Sequence, residues 1–399
     1  ADFLSNYYLA ESAGETQDLK FVNNVLRLHL VNQDKYIVDS SAGYMGTNKL
    51  INENQYAASF AGGVGWILSE ESFIKDKLKG VDFLKLKASA GLLPYDGQTS
   101  YNLYRDRWND NGTVRFNNNL TFQRTNFAQV GNPDLKWEKS SEFNIGVEAL
   151  MLNKKLWIEA NYFNELRYDI VQRLDQINAM MYGTLLPFEN WGKVRNQGVE
   201  VELKYSDRVD QLFYQVGANL IYSKNKVLQT DYTDYPEDYL EIIGQASDVM
   251  YGYVARGLFG KDVDINSPHA FQAFGPYQVG DIAYEDLNED NLIDDLDRKV
   301  LANSFPRAHI GLDINLNYKG FGLYVLGTSQ LGFSNWMNTG YYWNRAEDKY
   351  SAITLDRYHP TNNPNGTYPR LTTTDGANNF RNSTFWIESG DFFRIKNAE

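Results

Sequence analysis

The 399-residue sequence contains no cysteine and only four histidines. The lack of cysteine excludes disulfide scaffolds, thiol catalysis and thiolate-bound zinc or iron–sulfur sites. Four scattered histidines also argue against a histidine-rich metal centre. Acidic residues outnumber basic ones and give a formal net charge of -13. Because nucleic-acid affinity comes mainly from clustered lysine and arginine, we exclude a nucleic-acid partner as well.

Long apolar runs are missing too. No stretch of about 18 or more apolar residues occurs, so a transmembrane helix is excluded. Membrane strands are not excluded, because they expose only every second side chain to lipid and leave a weaker hydropathy signal. Residues 1–5 show no basic segment followed by an apolar one, so no secretory signal peptide is visible. We therefore expect an internal piece of a longer protein.

Aromatic residues, in contrast, are abundant: 28 Tyr, 22 Phe and 8 Trp in a chain whose mean hydropathy is -0.50. Residues 198–205 alternate strictly between apolar and polar side chains, which predicts a strand with one wet face. Residues 212–222 and 310–318 alternate in the same way. Similar runs begin near Phe21, Tyr36, Tyr56, Phe83, Phe143, Leu156, Phe321 and Phe392. Together they predict about eleven strands, many near the ten-residue length of a tilted membrane strand.

The connections between these strands are strongly asymmetric. Short links are predicted at 32–34, 153–154, 206–211 and 319–320, and long polar ones at roughly 93–140, 167–195, 225–304 and 334–383. This asymmetry predicts an all-β fold, a transmembrane antiparallel β-barrel with short periplasmic turns and long extracellular loops. Tyr36, Tyr205 and Tyr318 adjoin short links, as aromatic residues of an interfacial girdle would. A brief helix is predicted from Ser69 to Gly80, as a structural turn.

The alternation also assigns side chains to the two faces of the sheet. The residues expected to face lipid are Val201, Leu203, Leu220, Ile314 and Leu316, and those expected to face the lumen are Glu202, Asn219 and Asn315. About eleven strands cannot enclose a wide lumen, and residues 394–397 form part of an unfinished strand. Strands are therefore expected to be missing at both ends of the sequence.

An acidic segment at residues 286–297 carries the sharpest local chemistry. Its oxygen donors match loop positions 1, 3, 5, 7, 9 and 12 of an EF-hand-like calcium site. These donors are Asp286, Asn288, Asp290, the Leu292 carbonyl, Asp294 and Asp297. Asn291 replaces the usual glycine at position 6 and tolerates the same left-handed backbone. The sequence predicts a structural calcium ion here, and the alternative is a solvated acidic loop.

Aromatic residues in two long loops are candidates for weak substrate contacts, because flat rings suit the apolar faces of sugars and peptide side chains. They are Tyr101, Tyr104, Trp108, Trp336, Tyr341, Tyr342 and Trp343. The alternative role is packing between loops or against a partner. Phosphate loops, nucleophile elbows and metalloprotease motifs are absent from the sequence, and no catalytic residues are assigned. We expect a protein that is not an enzyme.

Several short motifs, in this order and spacing, resemble the SusC/RagA group of TonB-dependent importers. The most specific are GNPDLKWE at 131–138 and VRNQGVE at 194–200. Others are GWILSEESF at 65–73, FLKLKAS at 83–89, GDI at 280–282, FPR at 305–307, YPRL at 368–371 and FWI at 385–387. The sequence departs from the family at 39–44, where an Arg-flanked Asp-Gly-Ser-Ser run is more usual.

The resemblance implies a 22-stranded barrel of which this chain, as one domain over 1–399, supplies about half the strands, without the N-terminal plug, the early strands and the final strands. It also implies TonB-driven import of oligosaccharides or peptides across a Bacteroidota-type outer membrane. The implied partners are a SusD-like surface lipoprotein, the TonB complex, outer-membrane lipid and, as a possible assembly, a dimer of the two-protein complex. The alternatives are a siderophore or cobalamin receptor, and a passive structural barrel or adhesin.

Overall fold

A computed structural model describes residues 2–10, 18–75, 80–97, 99–116, 120–178, 186–345, 348–373 and 376–399. The chain divides into two compact units. The first, here the sheet unit, comprises Ala1–Thr233, Ile310–Thr328 and Ile395–Glu399. The second, here the loop unit, comprises Asp234–His309 and Ser329–Arg394.

Strands dominate the structure. In chain order they are β1 (Asp2–Ala10), β2 (Leu19–Asn32), β3 (Tyr36–Thr47), β4 (Tyr56–Ile67), β5 (Val81–Tyr95), β6 (Arg107–Phe116), β7 (Leu120–Gln129), β8 (Glu138–Met151), β9 (Leu156–Arg173), β10 (Phe188–Val209), β11 (Leu212–Gln229), β12 (Val249–Tyr253), β13 (Ala255–Leu258), β14 (Phe271–Gln272), β15 (Ile282–Tyr284), β16 (Leu292–Ile293), β17 (Arg298–Asn303), β18 (Ala308–Tyr318), β19 (Phe321–Leu331), β20 (Ser334–Trp336), β21 (Ile387–Ser389) and β22 (Phe392–Ala398). The described α-helices are α1 (Ser72–Lys75) and α2 (Asp175–Asn178). The described 3-10 helices are Asn52–Gln55, Leu68–Glu70, Asp238–Leu240, Asp295–Asp297, Ala352–Asp356 and Thr384–Trp386. Among the described residues no helix has the length and apolarity needed to cross a membrane.

Twelve strands form one sheet in the order β1-β2-β3-β4-β5-β8-β9-β10-β11-β18-β19-β22. The strand pairs from β1 to β11 are antiparallel. The eleven strands predicted from the sequence are all present, and β1 is the additional one. Strands joined by short turns, such as β2 with β3 and β10 with β11, are antiparallel neighbours because a short turn favours this pairing.

The short links are tight turns built on left-handed backbone. Gln33 and Asp34 have φ of 55° and 54° between β2 and β3, and Lys319 and Gly320 have φ of 49° and 86° between β18 and β19. Two consecutive positive φ values give a turn whose twist matches that of the flanking strands. These two turns lie within a residue of the links predicted at 32–34 and 319–320. The link predicted at 206–211 is shorter than expected, because β10 continues to Val209 and β11 begins at Leu212.

The predicted loop at 167–195 is shorter in the structure than we expected. Strand β9 extends to Arg173 and β10 begins at Phe188, and these two residues are cross-strand partners. The register shifts between Asn190 and Gly192, which marks a bulge that breaks the alternation. We predicted a loop where the alternation stops. Because the bulge interrupts the alternation, the outer parts of β9 and β10 were assigned to that loop.

The link between β4 and β5 is the predicted helical turn, and it is held by one carboxylate. Helix α1 ends at Lys75, and residues 76–79 lie outside the described part. Glu71 Oε1 accepts hydrogen bonds from Tyr36 Oη at 2.7 Å and Trp66 Nε1 at 3.1 Å. The hydrogen bond from Tyr36 is the main reason that the pKa of Glu71 is lowered. The Tyr36 ring is thereby fixed beside a short link, where the sequence predicted an aromatic girdle.

The loop unit has a core of its own, made largely of aromatic residues. Its most buried members include Ile282 at 0% and Leu258 at 1% exposure. The whole buried cluster comprises Tyr253, Leu258, Phe274, Ile282, Tyr284, Ile293, Tyr358, Tyr368, Phe380 and Trp386. Long connections that were predicted as loops therefore form a compact, packed unit.

Candidate functional site

Ion pairs run across one face of the large sheet. The guanidinium of Arg27 lies 3.0 Å from Asp39 on the neighbouring strand. Farther along, Lys87 Nζ lies 2.8 Å from Glu148 and 2.6 Å from Glu159 on the next two strands of the sheet. Such cross-strand pairs stabilise the sheet and leave a charged, water-compatible surface.

Glycines separate these ion pairs. The register places Gly63 opposite both Asp39 and Ser89, and Gly65 opposite Lys87. Because β4 presents no side chain at Gly63 or Gly65, an open cavity of about 620 Å³ remains on the sheet. Its border includes Asp39, Lys85, Lys87, Glu142, Asn144 and Asn161. The charged face therefore contains a hollow lined by acids, lysines and amides.

Apolar and polar side chains separate onto opposite faces, as the sequence predicted. Val201 is the cross-strand partner of Leu220, and Glu202 is the partner of Asn219. Gly217 lies two residues from Asn219 on β11 and therefore faces the same side of the sheet. A Cβ atom added at Gly217 would clash with Asp313 Oδ1, so the Asp313 carboxylate also lies on the polar side.

The remaining predicted residues of β18 follow from strand alternation. Asn315 shares the face of Asp313, and Ile314 and Leu316 lie opposite. Ile314 is 40% exposed and Leu203 is 41% exposed on that apolar face. A broad apolar face that the protein leaves uncovered is suited to contact with lipid.

The GNPDLKWE segment at 131–138 holds several connections together. Leu135 and Trp137 are 1% and 3% exposed. Trp137 Nε1 donates to the carbonyl oxygen of Asn54 at 3.0 Å, and Asn132 Nδ2 donates to that of Phe188 at 2.7 Å. The motif thus joins the 3-10 helix before β4 to the first residue of β10. Its role is structural, and strand alternation gave no sign of it.

The three aromatic candidates of the 93–140 connection are in different environments. Tyr104 is 9% exposed and lies under the guanidinium of Arg105, 5.0 Å from its ring centroid. Tyr101 is partly buried, 5.9 Å from the ammonium of Lys49. Trp108 is 64% exposed on β6, with its ring centroid 4.8 Å from that of Phe127. Of the three, Trp108 offers the most open ring.

The four aromatic candidates of the 334–383 connection mostly pack inward. Tyr342 and Trp343 contact the aromatic core of the loop unit. Trp336 is partly buried and pairs with Ile387 between β20 and β21. Tyr341 is 53% exposed, and its ring meets that of Tyr342 edge-on at 5.0 Å. Tyr341 is therefore the accessible member of this group.

A buried polar network joins the two long connections of the loop unit. Gln272 Nε2 donates to Asn378 Oδ1 at 2.6 Å, and Asn379 Nδ2 donates to Asp281 Oδ1 at 2.8 Å. Arg370 Nε lies 2.7 Å from the same carboxylate oxygen of Asp281. Gln272, Asp281, Asn378 and Asn379 are each at most 3% exposed. Buried polar groups with their partners in place fix one arrangement of the chain.

Sequence reasoning missed this network, although two of its members lie in motifs quoted above. Asp281 belongs to the GDI segment at 280–282, and Arg370 belongs to the YPRL segment at 368–371. The ion pair between Asp281 and Arg370 links the two segments. A sequence separation of 89 residues hides such a pair from any local pattern.

The acidic loop at 286–297 is held by hydrogen bonds from backbone N–H groups to its own carboxylates. Asn291 has φ of 67°, the left-handed conformation expected at position 6. Its backbone N–H donates to Asp286 Oδ2 at 2.9 Å, which closes the first half of the loop. Asp290 Oδ1 accepts from the Leu292 N–H and Asp294 Oδ1 from the Leu296 N–H, both at 2.8 Å.

The twelfth position of this loop is the most buried. Asp297 is 0% exposed and accepts from the backbone N–H of Leu287 at 2.6 Å and of Asp294 at 2.8 Å. Burial raises the pKa of Asp297, and the nearby negative charge of Asp286 contributes to that rise. Burial and neighbouring acids also raise the pKa of Tyr239 to about 12. Acidic side chains therefore lie near both groups.

The loop contains the oxygen donors and the left-handed residue that the sequence analysis expected. Asp286 Oδ1 is buried and has no hydrogen-bond partner, so one oxygen is available for a cation. In the part of the chain that the structure describes, no three His, Cys, Asp or Glu side chains are grouped closely enough to hold a metal ion. Asn288 and the Leu292 carbonyl would complete an oxygen donor set. A bound calcium ion would therefore have to draw the carboxylates together around itself.

The twelve-stranded sheet has a charged face, an exposed apolar face and short turns. These features define the wall of a transmembrane β-barrel. Residues 32–290, more than half of the chain, match the family described as "TonB dependent receptor-like, beta-barrel". The chain belongs to this family, and it is a protein of the bacterial outer membrane.

Named relatives support the assignment along most of the chain. TonB-dependent receptor P26 of Formosa agariphila is 28% identical over 93% of this chain and 38% of its own length. TonB-dependent receptor SusC of Bacteroides thetaiotaomicron is 21% identical over 74% of this chain and 29% of its own length. The RagAB peptide transporter superposes with a TM-score of 0.72 at 16% identity, over 96% of this chain and 41% of that one. These relatives are receptors and transporters rather than enzymes.

The lengths of these relatives bear on function. The chain spans 38% of receptor P26 and 41% of the RagAB chain, well under half of either protein. The resemblance to SusC/RagA inferred from the motifs is confirmed.

Proposed function

We propose that this chain forms part of the barrel of an importer that carries oligosaccharides or peptides across the outer membrane with energy from TonB. The plug and the TonB contact belong to parts of the protein outside these 399 residues, as the length of the relatives suggests. The chain supplies about half of a 22-stranded wall. The RagAB relative is a peptide transporter, and a peptide is accordingly one of the two substrate classes proposed.

The charged face of the sheet is the observation that carries this proposal. Ion pairs such as Lys87–Glu159, together with a polar hollow at Gly63 and Gly65, make that face compatible with water. The opposite face is apolar and suits lipid. A wall of this kind encloses an aqueous route, which a polar oligomeric nutrient needs.

We further propose a SusD-like surface lipoprotein as the partner that closes the extracellular side, with the two-protein complex able to form a dimer. The loop unit supports this proposal. Its aromatic core and its Asp281–Arg370 ion pair make it rigid, as a surface that binds a partner needs to be. Ordered connections much longer than about 15 residues usually serve a function. The resemblance to SusC and RagAB names the partner type.

The test is uptake by cells that produce the full-length protein, measured with fluorescent peptide and oligosaccharide pools. We expect import of one pool, and we expect a protonophore or loss of TonB to abolish it. Uptake that persists without the energy source would support a passive barrel. Iron-siderophore or cobalamin uptake, without a co-purifying lipoprotein, would support the alternative receptor.

We propose a structural calcium ion at 286–297, held by Asp286, Asn288, Asp290, the Leu292 carbonyl, Asp294 and Asp297. The left-handed Asn291 and the spare oxygen of Asp286 support it. When bound, the ion would neutralise mutual repulsion among the carboxylates.

Terbium luminescence on the purified full-length protein tests this site, since terbium replaces calcium and is sensitised by nearby aromatic rings. Asp290→Asn should weaken calcium competition at least about tenfold, because a charged ligand is lost. Glu289→Gln, a neighbouring acid outside the donor set, is the matched control. Equal competition in both variants would assign the signal to general surface charge.

A further inference from the structure

Three positively charged side chains lie on the apolar face of the sheet, on β10 and β11. Arg195 is the cross-strand partner of Lys226, and Lys224 lies two residues along β11 on the same face. Strict alternation from Val199 and Val201 places Arg195 on the side that carries the exposed apolar residues. All three cations are exposed. They therefore lie where lipid surrounds the barrel.

Their position along the strand places these cations at the edge of the apolar band. Ten residues separate Arg195 from Tyr205, which lies near a short turn. At about 3.3 Å per residue and a strand tilt of about 40°, this stretch spans roughly 25 Å across the membrane. The apolar band of such barrels is about 25 Å tall, and their short turns are periplasmic. Arg195 and Lys226 therefore lie at the headgroups of the outer leaflet.

Two adjoining rows of cross-strand partners mark the change from apolar to polar surface. The row nearer the bilayer centre consists of exposed apolar and aromatic side chains, which are Tyr162, Val199 and Tyr222. The next row places two amide side chains beside Lys224, and these are Asn164 and Gln197. The pair of Arg195 and Lys226 follows directly. Cations and amide donors thus border an apolar surface on its extracellular side.

These cations have no partner of opposite charge. Within the described part of the chain, none of the three takes part in an ion pair. Asp169, farther along β9, lies 3.2 Å from Lys139 and is already paired. Cross-strand partners have Cβ atoms about 4.5–5.5 Å apart, and like charges directly opposite each other are destabilising. An anion between Arg195 and Lys226 would relieve this repulsion.

We propose that Arg195, Lys224 and Lys226 form a binding site for the phosphate of an anionic lipid in the outer leaflet. The guanidinium offers paired donors to phosphate oxygens, and the two ammonium groups add positive charge. Gln197 is placed between them to donate a further hydrogen bond. The acyl chains of the lipid then cover the apolar row that includes Tyr222. A free phosphate ion would leave that row without a role.

This inference goes beyond the proposed function, because the site lies on the outside of the barrel. It depends on the orientation of the sheet in the membrane and not on the nutrient that the barrel imports.

The experiment uses the full-length protein, purified in a neutral detergent and mixed with lipid A or with lipid A from which the phosphates have been removed. Native mass spectrometry measures the bound lipid. Arg195→Gln with Lys226→Gln should weaken binding of phosphorylated lipid A about tenfold, because two charge-assisted contacts are lost. Lys154→Gln with Arg208→Gln is the matched control, since it removes the same charges from exposed positions at or beside short turns. The control should bind lipid A as the wild type does.

Urea-unfolding midpoints of the same preparations separate a ligand site from a structural role. Without added lipid, the Arg195→Gln, Lys226→Gln variant should unfold at or above the wild-type midpoint, because the repulsion between like charges has been removed. Phosphorylated lipid A should raise the midpoint of the wild type more than that of the variant. A variant that is less stable than the wild type without lipid would assign these residues a structural role and overturn the site.

Three further results would also overturn it. Equal binding of phosphorylated and dephosphorylated lipid A by the wild type would show that the phosphate is not recognised. An equal loss in the control variant would assign the effect to general surface charge. Displacement of lipid A by inorganic phosphate at millimolar concentration would show a site for the free ion in place of a lipid.

Discussion

The two units of this chain use aromatic and aliphatic residues in opposite ways. In the sheet unit, large apolar side chains such as Phe60 at 59% and Val64 at 58% exposure lie on the surface, and charged pairs occupy the other face. In the loop unit, Phe259 and Leu258 are each 1% exposed. One unit requires lipid to cover its apolar residues, and the other buries them within itself.

This contrast separates two sources of stability within one chain. The sheet depends on its backbone hydrogen-bond ladder and on the surrounding bilayer. The loop unit depends on close packing and on a buried polar network, as soluble domains do. Equivalent substitutions in the two units should therefore have very different effects.

The largest effect is expected from truncating a phenylalanine. Phe259→Ala removes a buried ring that stacks on Tyr277 at 5.3 Å between centroids. It should destabilise the loop unit by about 3–5 kcal/mol. Hydrogen exchange of the full-length protein in lipid, read separately for each unit, measures this loss.

Phe60→Ala is the matched control on the exposed apolar face of the sheet. Lipid can fill the space that the ring leaves, so the cost should be about 1 kcal/mol. Equal loss of protection in both variants would show that the two units do not differ in how they are stabilised.

A charged side chain should destabilise the sheet more on its apolar face than on its polar face. Val199→Arg places a guanidinium on the apolar face, six residues from the interfacial Tyr205, and should cost about 2–4 kcal/mol near the bilayer centre. Asn219→Arg, on the polar face, should cost far less. Urea-unfolding midpoints in lipid vesicles give both values. A larger penalty at Asn219 would reverse the assignment of the faces.

The sheet could be predicted from the sequence because its information is local. Alternation at 198–205 fixed both the strand and its two faces, and the register Glu202↔Asn219 agrees with that reading. The outer part of β10 was missed because the bulge at Gly192 interrupts the alternation. Strand β1 was missed because no extended run was recognised before Phe21.

The packing of the loop unit could not be predicted in this way. Its contacts join residues far apart, as between Asp281 and Arg370, and its short strands have no period to detect. The acidic loop is the exception, since the left-handed backbone expected at Asn291 is present. The conformation of a turn could be predicted from local sequence. Which aromatic residues pack into the core could be determined only from the three-dimensional structure.

A pH effect is expected at the turn held by Glu71. Its pKa is lowered, chiefly by the hydrogen bond from Tyr36. The carboxylate therefore stabilises the folded state above its ordinary pKa of about 4.3, and this contribution is lost as pH falls through the lowered value. Glu71→Gln should make the acid limb of the unfolding midpoint, plotted against pH, shallower. An unchanged limb would assign it to another carboxylate.

The smallest effect is expected at the turn between β18 and β19, where Lys319 has φ of 49° before Gly320. Asparagine tolerates this left-handed conformation better than lysine, and Asn-Gly is a favoured pair for such hairpins. Lys319→Asn should stabilise the sheet by about 0.5 kcal/mol. Lys319→Val should destabilise it by at least about 1 kcal/mol, because a β-branched residue is strained at positive φ. Urea midpoints in lipid vesicles compare the two, and a stabilising valine would contradict the assigned turn.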